Sequence, residues 1–323
     1  MDFDFEKPLQ PLRDKIDALV AKSRRGDPTA EAALAWLRKQ LAKESASLYA
    51  RLSPWEIVQV ARHPGRPTAR QYAEKMCDEF VELHGDRVCA DDPAILGGLA
   101  RIGKTRFLLL GHQKGTTTEE RIACRFGMAN PDGYRKADRL MKLAEKWGLP
   151  VVTLVDTAGA YPGLEAEARG QGEAIGRSLL VMAGLKTPIL SIVTGEGGSG
   201  GALGIALGDR VLMLQFAVYS VISPEGCASI LWRDGAKAPE AAAALRITAK
   251  DLLRLGVVDG IVPEPEGGAH ANPDRAIALV RRAILDNLAD MMANAPVGDR
   301  LVEERFKKFS AMGKFDPKKA VKA

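Results

Sequence analysis

The chain has 323 residues, 46% hydrophobic and 27% charged, with 46 basic against 41 acidic side chains and a net charge of +5. That length suits one large domain or two ordinary ones, and the composition excludes a disordered or collagenous chain. The mild positive charge suits an anionic ligand or partner and falls short of a nucleic-acid signature.

Four cysteines (Cys77, Cys89, Cys124, Cys227) without a Cys-x-x-Cys pair and four scattered histidines leave no disulfide framework and no local zinc motif. No metal site is expected. No apolar run approaches the roughly 20 residues of a membrane helix. The acidic start MDFDFEKPLQ lacks the parts of a signal peptide. The expectation is a cytoplasmic protein with no membrane and no specific nucleic-acid partner.

Residues 1–90 read as a helical arm. Leu12, Ile16, Leu19 and Val20 make one apolar stripe, and Leu34, Leu37, Leu41 and Leu48 another, with a break at Arg24, Arg25, Gly26, Asp27 and Pro28. Capping boxes at Ser53/Glu56 and Thr68/Gln71 open two further helices. The second is expected to carry Tyr72, Met76, Phe80 and Leu83 to a stop at Gly85.

Residues 91–295 read as an α/β domain. Strands are expected at 95–102 and 105–110, joined at Gly103 and Lys104, then a helix at 134–147 and a strand at 151–155. A helix at 165–183, a strand at 189–193, a glycine-rich turn and a helix from Gly200 follow. Further strands are expected near 211–214, 219–222 and 257–262, with helices at 248–255 and from Asn272 and Pro273 to Met292. Residues 296–323, with Lys307, Lys308, Lys314, Lys318, Lys319 and Lys322, read as a basic, frayed tail.

Two motifs mislead. GLARIGKT at 98–105 completes a Walker A pattern, but a strand rather than a helix follows it, so a hairpin turn explains Gly103 and Lys104 better. Met141, Lys142 and Leu143 resemble a biotin-attachment site, yet they fall in mid-helix beside the apolar face of Tyr134, Leu140, Ala144 and Trp147.

The chemistry-bearing segments are DTAGAYPG at 156–163 and GEGGSGGA at 195–202, each after a strand. Glycines at a strand-to-helix turn let backbone N–H groups approach a ligand with no Cβ in the way. Two such turns on adjacent strands can aim donors at one oxygen, each worth roughly 3 kcal/mol to a transition state. The bland alternative is that these glycines only allow tight helix–sheet packing. Nucleophilic hydrolysis is disfavoured: Ser199 is read as lying outside a nucleophile elbow, and no histidine neighbours either turn in the sequence. A third segment, Tyr219 to Trp232, reads as strand, Ser-Pro-Glu cap and helix, so capping is the first explanation of Ser223 and Glu225.

These blocks, together with GHQKG at 111–115 and PEPEGGAH at 263–270, resemble the alpha subunits of bacterial acetyl-CoA carboxylase carboxyltransferases along nearly the whole chain. The resemblance implies a crotonase-like (ClpP/crotonase) spiral of ββα units, with the N-terminal helical arm and C-terminal helices around it. It implies carboxyl transfer from carboxybiotin, held on the biotin carboxyl carrier protein, to acetyl-CoA, giving malonyl-CoA, the first committed step of fatty acid biosynthesis. A beta subunit would bind the CoA thioester in an α2β2 core. This chain would supply the carboxybiotin side and hold no covalent cofactor. ATP would be used only by biotin carboxylase.

On this resemblance the backbone N–H groups of Gly200, Gly201, Gly159 and Ala160 form the oxyanion hole, and Gly197, Gly198, Ser199, Tyr161, Ser223, Glu225 and Gly226 shape the carboxybiotin pocket. The biotin-attachment lysine, the ATP-grasp machinery and the beta subunit's zinc ribbon are absent, and Ala158 stands where members often carry proline. Two other readings stay open. A self-sufficient crotonase-type acyl-CoA hydratase or hydrolase would use Glu196 as its acid or base. A scaffold or nucleic-acid binder would use the lysine-rich tail, although no aromatic residues interleave there.

Overall fold

The computed structural model describes residues 3–23 and 28–313. A 3-10 turn at Asp4–Leu9 leads into helices α1 (Gln10–Ser23) and α2 (Pro28–Tyr49), then α3 (Pro54–Ala61) and α4 (Ala69–Met76). Both expected capping boxes are present. Ser53 and Thr68 accept from the backbone N–H groups of Glu56 and Gln71, whose side chains reach back to the cap amides. The break expected at residues 24–27 lies outside the described residues.

The fourth helix stops earlier than its apolar spacing predicts. Cys77 is already extended (φ −91°, ψ 139°), and strand β1 (Glu79–Glu82) pairs antiparallel with β2 (Ile95–Ile102), placing Phe80 opposite Ala100. The open edge of β2 satisfies these backbone groups, a competition that local spacing cannot register. Strand β3 (Thr105–His112) completes a hairpin with β2 through Gly103, whose φ is +60°. The Walker-like segment is therefore a hairpin, with no helix after it.

Helices α5 (Thr118–Ala123) and α6 (Pro131–Lys146) precede β4 (Val151–Thr157). Lys142 sits within α6, as its spacing predicts. Instead of one helix at 165–183 there are two, α7 (Leu164–Ala168) and α8 (Gln171–Gly184), separated by Gly170 in the left-handed region at φ +80°. Strand β5 (Ile189–Gly198), the one-turn helix α9 (Ser199–Leu203), β6 (Arg210–Leu214), β7 (Val218–Ser220) and α10 (Pro224–Trp232) follow. The chain ends through α11 (Ala238–Leu245), α12 (Ala249–Leu255), β8 (Gly260–Val262), α13 (Pro273–Asn294) and α14 (Asp299–Ser310).

The sheet runs β1-β2-β3-β4-β5-β6-β8, with β7 beside the far end of β5; from β3 onward every pairing is parallel. Residues Phe107 to Leu110, Val151 to Val155 and Ile189 to Val193 are buried without interruption. Such continuous runs mark strands covered on both faces. Helices α6 and α8 pack on each other, and α13 packs on α4, β5 and β8. Among the described residues no helix is long and apolar enough to cross a membrane.

Most of the described part of the expected tail is helix, Asp299–Ser310. Arg305 of α14 is 1% exposed at its side chain and ion-pairs with Asp209 at 2.7 Å. Buried pairing, not local sequence, holds this segment. Lys314, Lys318, Lys319 and Lys322 lie outside the described residues.

Candidate active site

The expected glycine turn is mostly strand. Beyond Val193, β5 continues to Gly198 because two neighbours accept it: Gly197 pairs with Thr157 across a register shift in β4, and Glu196, Gly197 and Gly198 pair with Val218, Tyr219 and Ser220. The glycines here answer to close approach. A Cβ on Gly198 would lie 2.0 Å from the Ala158 carbonyl oxygen, one on Gly195 2.4 Å from Asp156 Oδ1, and one on Gly197 2.8 Å from the Tyr219 ring. Packing alone therefore explains Gly195, Gly197 and Gly198.

The turn proper is Ser199, with φ +51°, where β5 becomes α9. Its neighbours Gly197 and Gly201 complete a Gly-x-Ser-x-Gly spacing at a strand-to-helix junction, which corrects the expectation that Ser199 lies outside an elbow. The partner chemistry of an elbow does not accompany it. Among the described residues no side chain hydrogen-bonds the Ser199 hydroxyl, although a nucleophilic serine needs an adjacent base.

Gly201 is brought against the first glycine segment: a Cβ there would sit 2.2 Å from the Gly159 carbonyl carbon and 2.3 Å from the Ala160 nitrogen. Residues Gly159, Ala160, Gly198 and Gly201 thus converge. Gly159 is corrected as a donor. Its N–H donates to Thr157 Oγ1 (3.1 Å), which in turn donates to the Gly159 carbonyl (2.7 Å). The amides of Ala160, Gly200 and Gly201 take part in no turn or cap hydrogen bond among the described residues. Tyr161 uses its N–H on Ala129 (3.0 Å), accepts from Gln171 Nε2 (3.0 Å) and stacks under Arg125, 5.4 Å from the ring centre.

Two cavities flank this crossing. The first, about 310 Å³, is apolar and opens at Ser199 and Gly200; Leu203, Leu207, Val211, Val257, Phe309 and Met312 form its walls, and Tyr219, Ser220 and Val221 also border it. The third segment reaches the site through these last three residues. Ser223 is engaged as a cap, accepting from the Gly226 amide (3.1 Å), and Glu225 is held by Arg62 (2.5 Å). Burial would raise the Glu225 carboxyl, but the Arg62 guanidinium prevails and holds it below the ordinary glutamate range.

The second cavity, about 320 Å³, is polar and lies between α3 and the ends of β4 and β5, with Arg62, Arg66, Lys114, Arg121, Asp156 and Glu196 around it. Arg62 bridges Glu196 (2.8 Å) and Glu225, while Lys114 pairs with Asp156 (2.7 Å). Asp156 Oδ1 also accepts the Glu196 amide (2.8 Å). This chain of charges ties the arm to the glycine strand. It was not legible in the sequence, because Arg62 and Glu196 stand 134 positions apart.

His112 is the residue the sequence reading missed beside the turn. It is fully buried at the end of β3, next to the Gly201 peptide, with no hydrogen bond of ordinary geometry to either ring nitrogen. Burial pushes its pKa down to about 4, against the Asp156 charge and the Gly201 backbone, which act in the other direction. The imidazole is therefore neutral at pH 7. The GHQKG block was the available signal, but nothing in its spacing points to position 201.

A family model described as acetyl co-enzyme A carboxylase carboxyltransferase-like matches residues 2–313. The acetyl-coenzyme A carboxylase carboxyl transferase subunits alpha of Burkholderia vietnamiensis (strain G4 / LMG 22486) and Burkholderia lata are each 55% identical over 314 residues, 97% of this chain and 96% of theirs. Among solved structures, transcarboxylase 12S with methylmalonyl-coenzyme A and methylmalonic acid bound aligns with a TM-score of 0.56 at 16% identity, over 80% of this chain and 45% of that one. The beta subunit of P. aeruginosa geranyl-CoA carboxylase aligns with a TM-score of 0.56 at 19% identity, over 76% and 46%. This chain spans less than half the length of those two. At such identities they bear on the fold alone, and that fold is crotonase-like. With the family model spanning nearly every residue, the chain belongs to the acetyl-CoA carboxylase carboxyltransferase-like family, whose members are biotin-dependent carboxyltransferases.

Proposed function

We propose that this chain is the carboxybiotin half of a two-subunit carboxyltransferase. It receives carboxybiotin on the biotin carboxyl carrier protein and, with a beta subunit that binds acetyl-CoA, forms malonyl-CoA. Biotin carboxylase is the third partner and the only user of ATP. The single observation that carries the reading is the contact of Gly201 with the Gly159–Ala160 peptide. Beside that contact the Gly200 amide, which takes part in no turn or cap hydrogen bond among the described residues, borders an apolar cavity, and this supports the reading.

The residues present fit the group. An apolar cavity bordered by the Gly200 amide suits a ligand whose polar oxygen is attached to an apolar ring body. Carboxybiotin, when bound, supplies an activated carboxyl group. The Gly200, Gly201 and Ala160 N–H groups then hold negative charge developing on the ureido oxygen, each worth roughly 3 kcal/mol at the transition state. Glycine is needed at 201 because any Cβ would drive the two donor segments apart. Ser199 and Tyr219 border the pocket; Ser223, Glu225 and Gly226 position α10 beside it through the cap and the Arg62 pair. His112, neutral and buried, packs behind the Gly201 peptide without adding a positive charge to it.

The test is malonyl-CoA decarboxylation with biocytin, run on this chain alone and then with the beta subunit. Biotin-dependent turnover only in the mixture supports the reading. Turnover by the lone chain moves the whole site onto one polypeptide, and silence in both removes the function.

A further inference from the structure

The C-terminal helix α14 carries a patterned inner face. Arg305, Lys308 and Phe309, at positions i, i+3 and i+4, share one face of the helix, and Met312 follows in the turn just past its end at Ser310. Phe306, off that face, is 73% exposed. Phe309 and Met312 wall the apolar cavity that opens at Ser199 and Gly200. Helix α14 begins about a hundred residues after that turn, and no motif in it signals a ligand site.

Arg305 fixes where this wall stands. Its guanidinium grips Asp209 through two parallel hydrogen bonds (2.8 and 2.7 Å) and donates to the carbonyls of Met182 (2.6 Å), Leu185 (2.7 Å) and Thr187 (3.3 Å). Asp209 Oδ2 also accepts the Ile189 amide (2.8 Å), the first residue of β5. Lys308 donates to the Gly208 and Asp209 carbonyls (3.3 and 2.9 Å) and pairs with Asp259 (2.5 Å). Helix α14 is thus registered against the start of the strand whose far end makes the glycine turn. A planar fork with five donors holds such a set of acceptors, whereas an ammonium satisfies fewer of them.

We propose that α14 and the turn that follows it are part of the substrate pocket: Phe309 and Met312 are specificity-determining residues that contact the fused ring of biotin, and Arg305 is the positioning residue that sets their distance from Gly200. This rests on the carboxyltransferase reading above. The apolar walls shield the ring body while its oxygen meets the amides, so the C-terminal helix governs affinity for the biotin group and leaves the CoA side untouched.

The experiment uses the full chain with its beta subunit, with biocytin as the probe. Phe309→Ala and Met312→Ala should each raise the KM for biocytin about tenfold, with the KM for malonyl-CoA and kcat unchanged within about twofold. Phe306→Ala, on the outer face, should change none of them. Arg305→Lys should show the same split. Independently of turnover, the Met312 methyl resonance of 13C-methyl-methionine-labelled chain should shift saturably with biocytin, and Arg305→Lys should weaken that saturation. Biotin-dependent turnover with an unmoved biocytin KM in the two alanine variants, or a silent Met312 methyl, overturns the role of α14 and leaves the carboxyltransferase reading standing. No biotin-dependent turnover in the wild-type mixture overturns both.

Discussion

Gly201 rests on the peptide bond between Gly159 and Ala160, leaving no room for a single carbon: a Cβ would lie 2.2 Å from one side of that bond and 2.3 Å from the other. Real Cβ contacts do not come this close, so a side chain at 201 must separate the two glycine segments. Gly200, one residue earlier, meets nothing nearer than the Ile175 side chain at 3.8 Å. Gly201→Ala should therefore lower biotin-dependent decarboxylation by about 100-fold or more, the scale of losing one oxyanion donor. Gly200→Ala should keep the melting temperature and most of the activity. Equal behaviour of the two variants would contradict the donor assignment.

Ser199 occupies the left-handed region, which costs a residue with a Cβ about 1–2 kcal/mol. Ser199→Gly should raise stability by about 1 kcal/mol, part of the gain being offset by the freer unfolded chain. Ser199→Ala should retain biotin-dependent turnover, since no base is hydrogen-bonded to the hydroxyl. Loss of all turnover in Ser199→Ala, with the melting curve intact, would restore a nucleophilic role for this elbow-like turn.

Glu196 is the carboxylate that an acyl-CoA hydratase would use, and its setting here is that of an ion-pair partner. Its carboxylate is held by Arg62 at 2.8 Å, and Lys114 stands 4.0 Å away, an arrangement that ties the arm to β5. Glu196→Gln should lower stability by roughly 1 kcal/mol, the scale of a partly exposed pair, and leave kcat within about tenfold. A collapse of kcat by about a thousandfold with unchanged folding would assign Glu196 to acid–base chemistry.

His112 imposes a pH dependence of definite sign. Its pKa falls from about 6.5 in the unfolded chain to about 4 in the fold. Between those values the unfolded state binds the extra proton, so this contribution is complete above about pH 6.5 and is lost as pH falls toward 4. The loss is about 3 kcal/mol at most. Denaturant midpoints at pH 5 and pH 7 should differ less in His112→Gln than in the parent. An identical difference in both proteins would show that the ring is protonated in the fold.

Arg66 and Glu264 form an ion pair (2.8 Å) with side-chain exposures of 3% and 0%. Glu264 also accepts the amides of Phe216 and Ala269, and Arg66 donates to the Thr194 carbonyl in β5. Arg66→Met would strand a buried carboxylate, and such losses cost about 3–5 kcal/mol. A denaturant midpoint unchanged from the parent would mean that water reaches Glu264.

The sequence by itself determined the local and the periodic. Capping oxygens at Ser53 and Thr68, the unbroken apolar runs of β3, β4 and β5, and the Gly103 hairpin are each governed by neighbours within a few positions. The two glycine segments also stood out, because so many residues without a Cβ in so few positions signal close approach. Only the tertiary structure decided which glycines are forced by close approach and which, like Gly200, are not. Gly198 meets Ala158 and Gly201 meets Gly159 across 40 or more positions of chain, and Thr157 withdraws the Gly159 amide from use. The same holds for β1, which the open edge of β2 draws out of a helical pattern, and for α14, which a buried Arg305 turns from an expected frayed tail into a wall of the apolar cavity. Pairing and burial between distant segments supplied free energies larger than local propensity, and no spacing along the chain encodes which partners will meet.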